Sequence, residues 1–248
     1  MCILKVGLIS AVSGIMLGAF CAGADEFKPD ENTLFLAHFN TGIAADVAKG
    51  KKENEGGDAT ITTGGGGKFG EGLACRGIGK GFLTFPVAGN LDVTKGTLEF
   101  WVKMDLPKDS LYCFFTLPTT IKKEDGNISA GLTMHYKGAD TNFVFYPGTA
   151  AAGDFYVFKK ARWEKDEWHH IAITWGDNGM SLFIDGRKTN SEGYKGGLFL
   201  GDKKNEQNLS GIFSIGGFDA GTCTIEGVID ELRISDIVRY EEDFDPNK

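Results

Sequence analysis

The stretch EWHHIAITWGDNGMSLFIDGRKT, residues 167–189, decides the fold. Apolar side chains alternate through WHHIAITW (168–175), Asp177-Asn178-Gly179 interrupts the run, MSLFI (180–184) resumes it, and Asp185-Gly186 interrupts again. Asn, Asp and Gly tolerate the positive φ that tight hairpins need, so the stretch predicts a three-strand antiparallel meander. The period of two puts Ile171, Ile173 and Trp175 on one face. It also sends His169 and His170 to opposite faces, so the pair does not converge on one metal ion and is read as structural.

Working outward, similar short runs bounded by Gly, Asp and Asn occur at 33–39, 72–76, 81–86, 96–104, 111–117, 130–136, 142–146, 154–158, 212–217 and 225–235, and no segment carries a helical period. In TLEFWVKM (97–104), Leu98, Phe100, Val102 and Met104 share a face, opposite Glu99, Trp101 and Lys103. About a dozen half-apolar strands bury those faces by packing two sheets together, so the fold class is all-β, a two-sheet antiparallel β-sandwich. With no linker or internal repeat, residues 25–248 form one domain.

Composition agrees. The 248 residues include 19 Phe and 4 Trp, too much apolar surface for a disordered chain, and 36 Gly against 6 Pro. Most of the glycine is assigned to turns between strands. TTGGGG at 62–67 is the one stretch expected to be mobile.

Residues 1–24 carry one cation at Lys5, an apolar run from Val6 to Phe20 and the small triplet Ala22-Gly23-Ala24. That pattern predicts a secretory signal peptide, hence a secreted, periplasmic or cell-surface protein with no membrane insertion after cleavage. Lipid anchoring at Cys21 is the alternative, with bulky Phe20 against it. Cleavage removes Lys5 and leaves 25 bases against 34 acids, an excess that excludes nucleic acid and anionic membrane as partners. Of the cysteines, Cys75, Cys113 and Cys223 remain, enough for one disulfide at most and in no zinc-binding spacing.

Seven passages in order, LFLAHFN (34–40), GKFGEGLACRG (67–77), GTLEFWVKMD (96–105), WHHIAITW (168–175), MSLFIDGRK (180–188), FSIGG (213–217) and GVIDELRISDIVRY (227–240), resemble the concanavalin A-like lectin/glucanase superfamily, in particular its laminin G-like and pentraxin-like (LamG) jelly-roll domains. The resemblance implies a jelly roll that serves as a sugar-binding lectin, an adhesion module or a polysaccharide-cleaving enzyme. The enzymes of that superfamily use the acidic pattern E-x-D-x-x-E, which this sequence lacks. Glu164-Lys165-Asp166-Glu167 and Glu241-Glu242-Asp243 have other spacings and read as solvated surface. The expected function is therefore non-catalytic binding of a polysaccharide or glycoconjugate, or adhesion to a surface protein, with a glycan hydrolase or lyase as the alternative.

Sugar binding requires aromatic faces for the apolar side of a pyranose, and Trp101, Tyr146, Tyr156, Trp163 and Tyr194 are the candidates. Asn127-Ile128-Ser129 and Asn208-Leu209-Ser210 fit the glycosylation sequon. Strict alternation in GVIDELRI places Asp230 on one face with Val228, Leu232 and Ile234, where a carboxylate needs a partner. The resemblance implies a structural Ca²⁺ where the closing strand meets the opening one, with Asp230 and Asn40 as ligands. A salt bridge or backbone N–H groups around Asp230 are the competing expectation.

Overall fold

The computed structural model describes residues 25–76, 81–105, 111–123, 126–137, 142–146, 157–160, 163–189, 207–209, 211–217 and 224–248, with only the backbone at 111–112, 118–160 and 207–209. The leader, Tyr156, Tyr194 and Cys223 lie outside the described residues. Among the described residues seventeen strands form: β1 Thr33–Ala37, β2 Val47–Ala48, β3 Gly56–Gly57, β4 Thr60–Ile61, β5 Leu73–Arg76, β6 Leu83–Pro86, β7 Gly96–Met104, β8 Leu111–Lys123 and β9 Gly126–Lys137 in the first half. The second half supplies β10 Asn142–Tyr146, β11 Val157–Lys160, β12 Trp168–Gly176, β13 Gly179–Ile184, β14 Arg187–Lys188, β15 Gln207–Leu209, β16 Ile212–Ile215 and β17 Glu226–Ser235.

They make two sheets. The first runs β14-β13-β12-β7-β17-β1-β2, with β5 on β17 and β4 beyond it; the second runs β11-β10-β9-β8-β16-β6-β3, with β15 on β8. The predicted meander is β12-β13-β14, paired antiparallel. Its second turn has positive φ at both central residues, 51° at Asp185 and 71° at Gly186, the two-residue geometry whose twist matches its strands.

Inner faces follow the alternation. Leu98, Phe100 and Val102 of β7, Ile171, Ile173 and Trp175 of β12 and Phe35 of β1 meet Phe85, Phe115 and Phe213 of the second sheet in one core. Phe35 lies 4.9 Å edge-on from Phe85, and Phe213 stacks on Phe115 at 5.3 Å. Each such ring contributes on the order of 2–3 kcal/mol through burial. The Trp175 indole N–H donates to the Asp92 carbonyl at 3.0 Å, so this wholly buried side chain carries no unmet donor.

Three expectations are corrected. Trp163 is 5% exposed, packed in the core and stacked on the His169 imidazole at 4.4 Å, which removes it as an exposed sugar platform. Asp230 does not share a face with Leu232 and Ile234. Between Asp230 opposite Trp101 and Arg233 opposite Glu99, β17 advances three residues while β7 advances two, a β-bulge, and Glu231 within it has φ 54°. The extra residue shifts the phase, so Leu232 and Ile234 enter the core while Asp230 stays on the outer face with Trp101.

The TTGGGG stretch, third, is tied down. The Glu71 carboxylate accepts N–H bonds from Gly65 (2.9 Å) and Gly66 and the Thr62 hydroxyl at 2.7 Å, which lower its pKa; Asp230 Oδ2 accepts the N–H groups of Lys68 (2.7 Å) and Phe69 (3.0 Å). Cys75 is a buried free thiol, its pKa pushed up by burial.

Candidate functional site

Residues opposite one another in an antiparallel ladder share a face. On β12 and β7, Trp168 is opposite Lys103, His170 opposite Trp101 and Ala172 opposite Glu99, all on the outer side of the first sheet, away from the core. That side is covered rather than bare. Phe27 from the N-terminal segment meets His170 at 5.9 Å, while Tyr240 and Phe244 from the C-terminal segment stack on each other at 3.6 Å and pack against Phe183 of β13.

Beneath this cover lies a charge cluster. Glu99, wholly buried, accepts bonds from Arg233 Nε (2.8 Å) and the Tyr240 hydroxyl (2.7 Å), with His170 Nε2 at 3.3 Å. Burial pushes its pKa up, but the adjoining His170 imidazole and the Arg233 charge outweigh that and hold it down at about 2. Burial likewise raises the Tyr240 phenol, reinforced by the Glu99 charge. Arg233 also lies 4.4 Å over the Phe27 ring, fastening the N-terminal segment to the cluster.

The tail is held by the hairpin turn. Phe244 N–H donates to the Gly186 carbonyl at 2.8 Å, and a Cβ on Gly186 would stand 2.0 Å from the Phe244 carbonyl oxygen. Gly186→Ala is expected to cost about 2 kcal/mol, combining left-handed strain with displacement of the tail, and to lower Tm by roughly 4–8 °C. Gly186→Asn tolerates the φ but keeps the clash. An Asn variant that melts like wild type in calorimetry would remove the close-approach part of this account.

Between the tail and the 62–72 loop, the outer face opens into a cleft of ≈ 490 Å³. Its lining includes Trp101, Trp168, Lys68, Asp185, Arg187 and Asn247. Lys68 Nζ sits 4.0 Å over the Trp101 ring, and Lys103 Nζ 5.0 Å over Trp168. Burial lowers the Lys68 pKa, opposed by the charge of Asp185. Asp185 takes His170 N–H and His169 Nδ1–H, each at 2.9 Å; burial raises its pKa, but the His169 bond and those that follow bring it below the ordinary value. Trp101 is 3% exposed, and its indole N–H has no acceptor among the described residues.

Of the two singled-out aromatic residues whose side chains are described, Trp101 and Trp163, the structure brings Trp101 to this cleft. Tyr146 ends β10, where only the backbone is described. Trp168 was not singled out, although alternation signals it: it lies on the face opposite Ile171, Ile173 and Trp175, where an aromatic has no core to enter.

Asn40 and Asp230 both brace the 62–72 loop. Asn40 Oδ1 accepts the Glu71 N–H at 2.9 Å, and Asp230 accepts Lys68 and Phe69 N–H on Oδ2 and Glu231 N–H, at 2.9 Å, on Oδ1. N–H groups turned toward every one of these oxygens do not fit a cation, and Ca²⁺ ligation there requires breaking those bonds. Among the described residues no three of His, Cys, Asp and Glu converge as metal ligands.

Two antiparallel sheets with interdigitated inner faces, in the first of which the chain's first and last strands pair directly, define a lectin-type jelly-roll sandwich. Residues 78–243 match the family Laminin_G_3, described as the concanavalin A-like lectin/glucanases superfamily, and the chain belongs to it. No curated protein matches the chain in sequence. Among solved structures it is similar to domain 4 of AbnA, a GH43 extracellular arabinanase from Geobacillus stearothermophilus, in complex with arabinotriose. That likeness has TM-score 0.57 and 18% identity, over 87% of this chain and 95% of that one. It is also similar to the Trypanosoma rangeli sialidase in complex with sialic acid (TM-score 0.55, 16% identity, 88% of this chain and 32% of that one). A third likeness is to the botulinum neurotoxin serotype G binding domain, at TM-score 0.55 and 14% identity, over 87% of this chain and 49% of that one. The chain thus spans a third of the sialidase and half of the toxin domain, and these likenesses establish the fold.

Proposed function

We propose that the chain is an exported, non-catalytic module that binds glycan in the Trp101–Trp168 cleft. The observation that carries this reading is the half-buried Trp168 ring on the outward face, backed by the nearly buried Trp101, with Arg187, Asp185 and Asn247 around them. Apolar ring faces beside fixed polar groups are what the two sides of a pyranose require. The arabinanase domain, matched over nearly its whole length, was obtained with arabinotriose, which supports a sugar ligand for this architecture.

Binding rather than cleavage is supported by the use made of the buried carboxylates. Glu99 holds Arg233 and Tyr240, Asp230 holds the 62–72 loop, and Glu231 holds His38 Nδ1 at 2.8 Å and the Phe27 N–H. A glycosidase needs a carboxylate pair free to flank a scissile bond. Export rests on the leader-like residues 1–24.

A glycan array on the full chain, followed by calorimetric titration of the best ligand, tests this. Trp168→Ala is expected to weaken binding about tenfold through loss of one stacking face, while the half-buried position leaves Tm within a few degrees. Unchanged affinity in Trp168→Ala sinks the assignment of the cleft. Release of reducing ends from any bound polysaccharide sinks the non-catalytic reading.

A further inference from the structure

Resting on the glycan-binding reading, we infer that the cleft selects acidic glycans, whose carboxylate or sulfate group pairs with Lys68 and Lys103. The chain is acidic overall, with net charge −8, yet two ammonium groups flank the two tryptophans. The acids in and beside the cleft have closer partners than the two lysines: Asp185 pairs with His169 at 2.9 Å, Asp243 with Arg187 at 2.8 Å, and Asp245 with Lys248 at 3.4 Å. Neither Lys68 nor Lys103 forms an ion pair with a carboxylate among the described residues. Lys103 reaches instead to the Gly66 carbonyl at 3.5 Å, a long and weak contact.

The two lysines are held in place from below. Lys68 follows Gly67 in a loop whose N–H groups at 68 and 69 are fastened to Asp230 of β17. Lys103 stands on β7 opposite Trp168 with its ammonium over that ring, so Lys68 lines the cleft and Lys103 sits against one of its lining tryptophans. A partly desolvated ammonium over an indole attracts an anion more strongly than a fully hydrated one, because less water screens the pair. A neutral sugar offers neither ammonium a charge to pair with. An acidic one satisfies them while its ring stacks on Trp168. In a chain with an excess of acids, Lys68, Lys103 and Arg187 gather cationic groups at one place, which concentrates an anionic polymer there.

Two matched pairs of probes test the inference on the full chain: oligogalacturonate against its methyl ester, and a sulfated galactan oligomer against its desulfated form. Affinity for at least one acidic member is expected to exceed that of its neutral partner by about thirtyfold, or roughly 2 kcal/mol. It should weaken several-fold between about 50 and 500 mM NaCl as salt screens the pair. Which acidic probe responds separates carboxylate from sulfate. Lys68→Gln with Lys103→Gln is expected to abolish that preference, the ratio of the acidic to the neutral affinity falling from about thirtyfold to about one. Equal affinity within both pairs, or a preference that survives the double substitution, overturns the inference while glycan binding stands. Absence of binding to every glycan on the array overturns the glycan-binding reading and this inference with it. The salt and ester comparisons use the unsubstituted chain, so the outcome does not depend on the variant's folding.

Discussion

Replacing Glu99 by alanine is expected to destabilise the protein by about 3–5 kcal/mol, with Tm falling by roughly 10 °C or more. The reason lies in what the substitution leaves behind. Arg233 is only 9% exposed and gives its Nε and one terminal nitrogen to Glu99, at 2.8 and 2.7 Å. Without the acid, a guanidinium stays buried beneath Phe27 and Tyr240 with a carbonyl contact to Lys28 at 3.3 Å and little else to offset its charge. A double-mutant cycle isolates the pair: Glu99→Ala combined with Arg233→Met should cost at least 2 kcal/mol less than the two singles added together. Singles that simply add, or a Glu99→Ala loss below 1 kcal/mol, sink this view of the cluster. The acid limb gives a second measurement. Folding lowers the Glu99 pKa from 4.5 to about 2, so its stabilisation is fully present above pH 4.5 and is lost as pH falls towards 2.

The same residue shows where the sequence was legible. Alternation in TLEFWVKM and WHHIAITW assigned every inner residue of β7 and β12 correctly, because one face is continuously apolar and the period is unbroken. It also put Glu99 and Trp101 on the polar face, which is true of the strand but not of the molecule. The segments that bury them, 25–32 and 236–248, carry single aromatics at Phe27, Tyr240 and Phe244 without any period. Their docking depends on long-range partners such as the Gly186 carbonyl, so nothing local announces it.

The candidate site was less legible for the same kind of reason. Trp101 could be proposed from alternation, whereas the cleft around it is assembled from β7, β12, the Asp185-Gly186 turn, the 62–72 loop and the C-terminal segment. Asp230 was recognised as an acid in need of a partner, and backbone N–H groups, one of the expected kinds, are what it has. Its position in the strand was misjudged beyond residue 230 because a bulge adds a residue without changing the apolar composition on either side. No sequence rule for a two-residue period detects an extra residue at Glu231.

Asp230 carries the second large effect, and it has the opposite sign to that of Glu99. Burial, aided by the neighbouring Glu231 charge, outweighs the three N–H bonds and pushes its pKa from 3.8 to about 7. The folded state therefore holds a proton that the unfolded state releases, and the contribution of Asp230 to stability is greatest below pH 4 and declines as pH rises to 7. The gap corresponds to about 4 kcal/mol at most. His38, whose pKa is raised from 6.5 by its bond to Glu231, adds stability that falls away as pH rises above 6.5, so the wild-type profile alone does not isolate Asp230. Asp230→Asn does, since the amide carries no charge and His38 keeps its partner. At pH 4 the variant is expected to be the less stable protein, having replaced one acceptor of the loop N–H groups by a donor. By pH 8 that deficit should shrink or reverse, the difference in Tm between variant and wild type moving upward by several degrees. A difference that is flat from pH 4 to 8 means that Asp230 is ionised throughout. The loop N–H groups would then dominate over burial, and the anchor of the 62–72 loop, with Lys68 upon it, would be insensitive to pH.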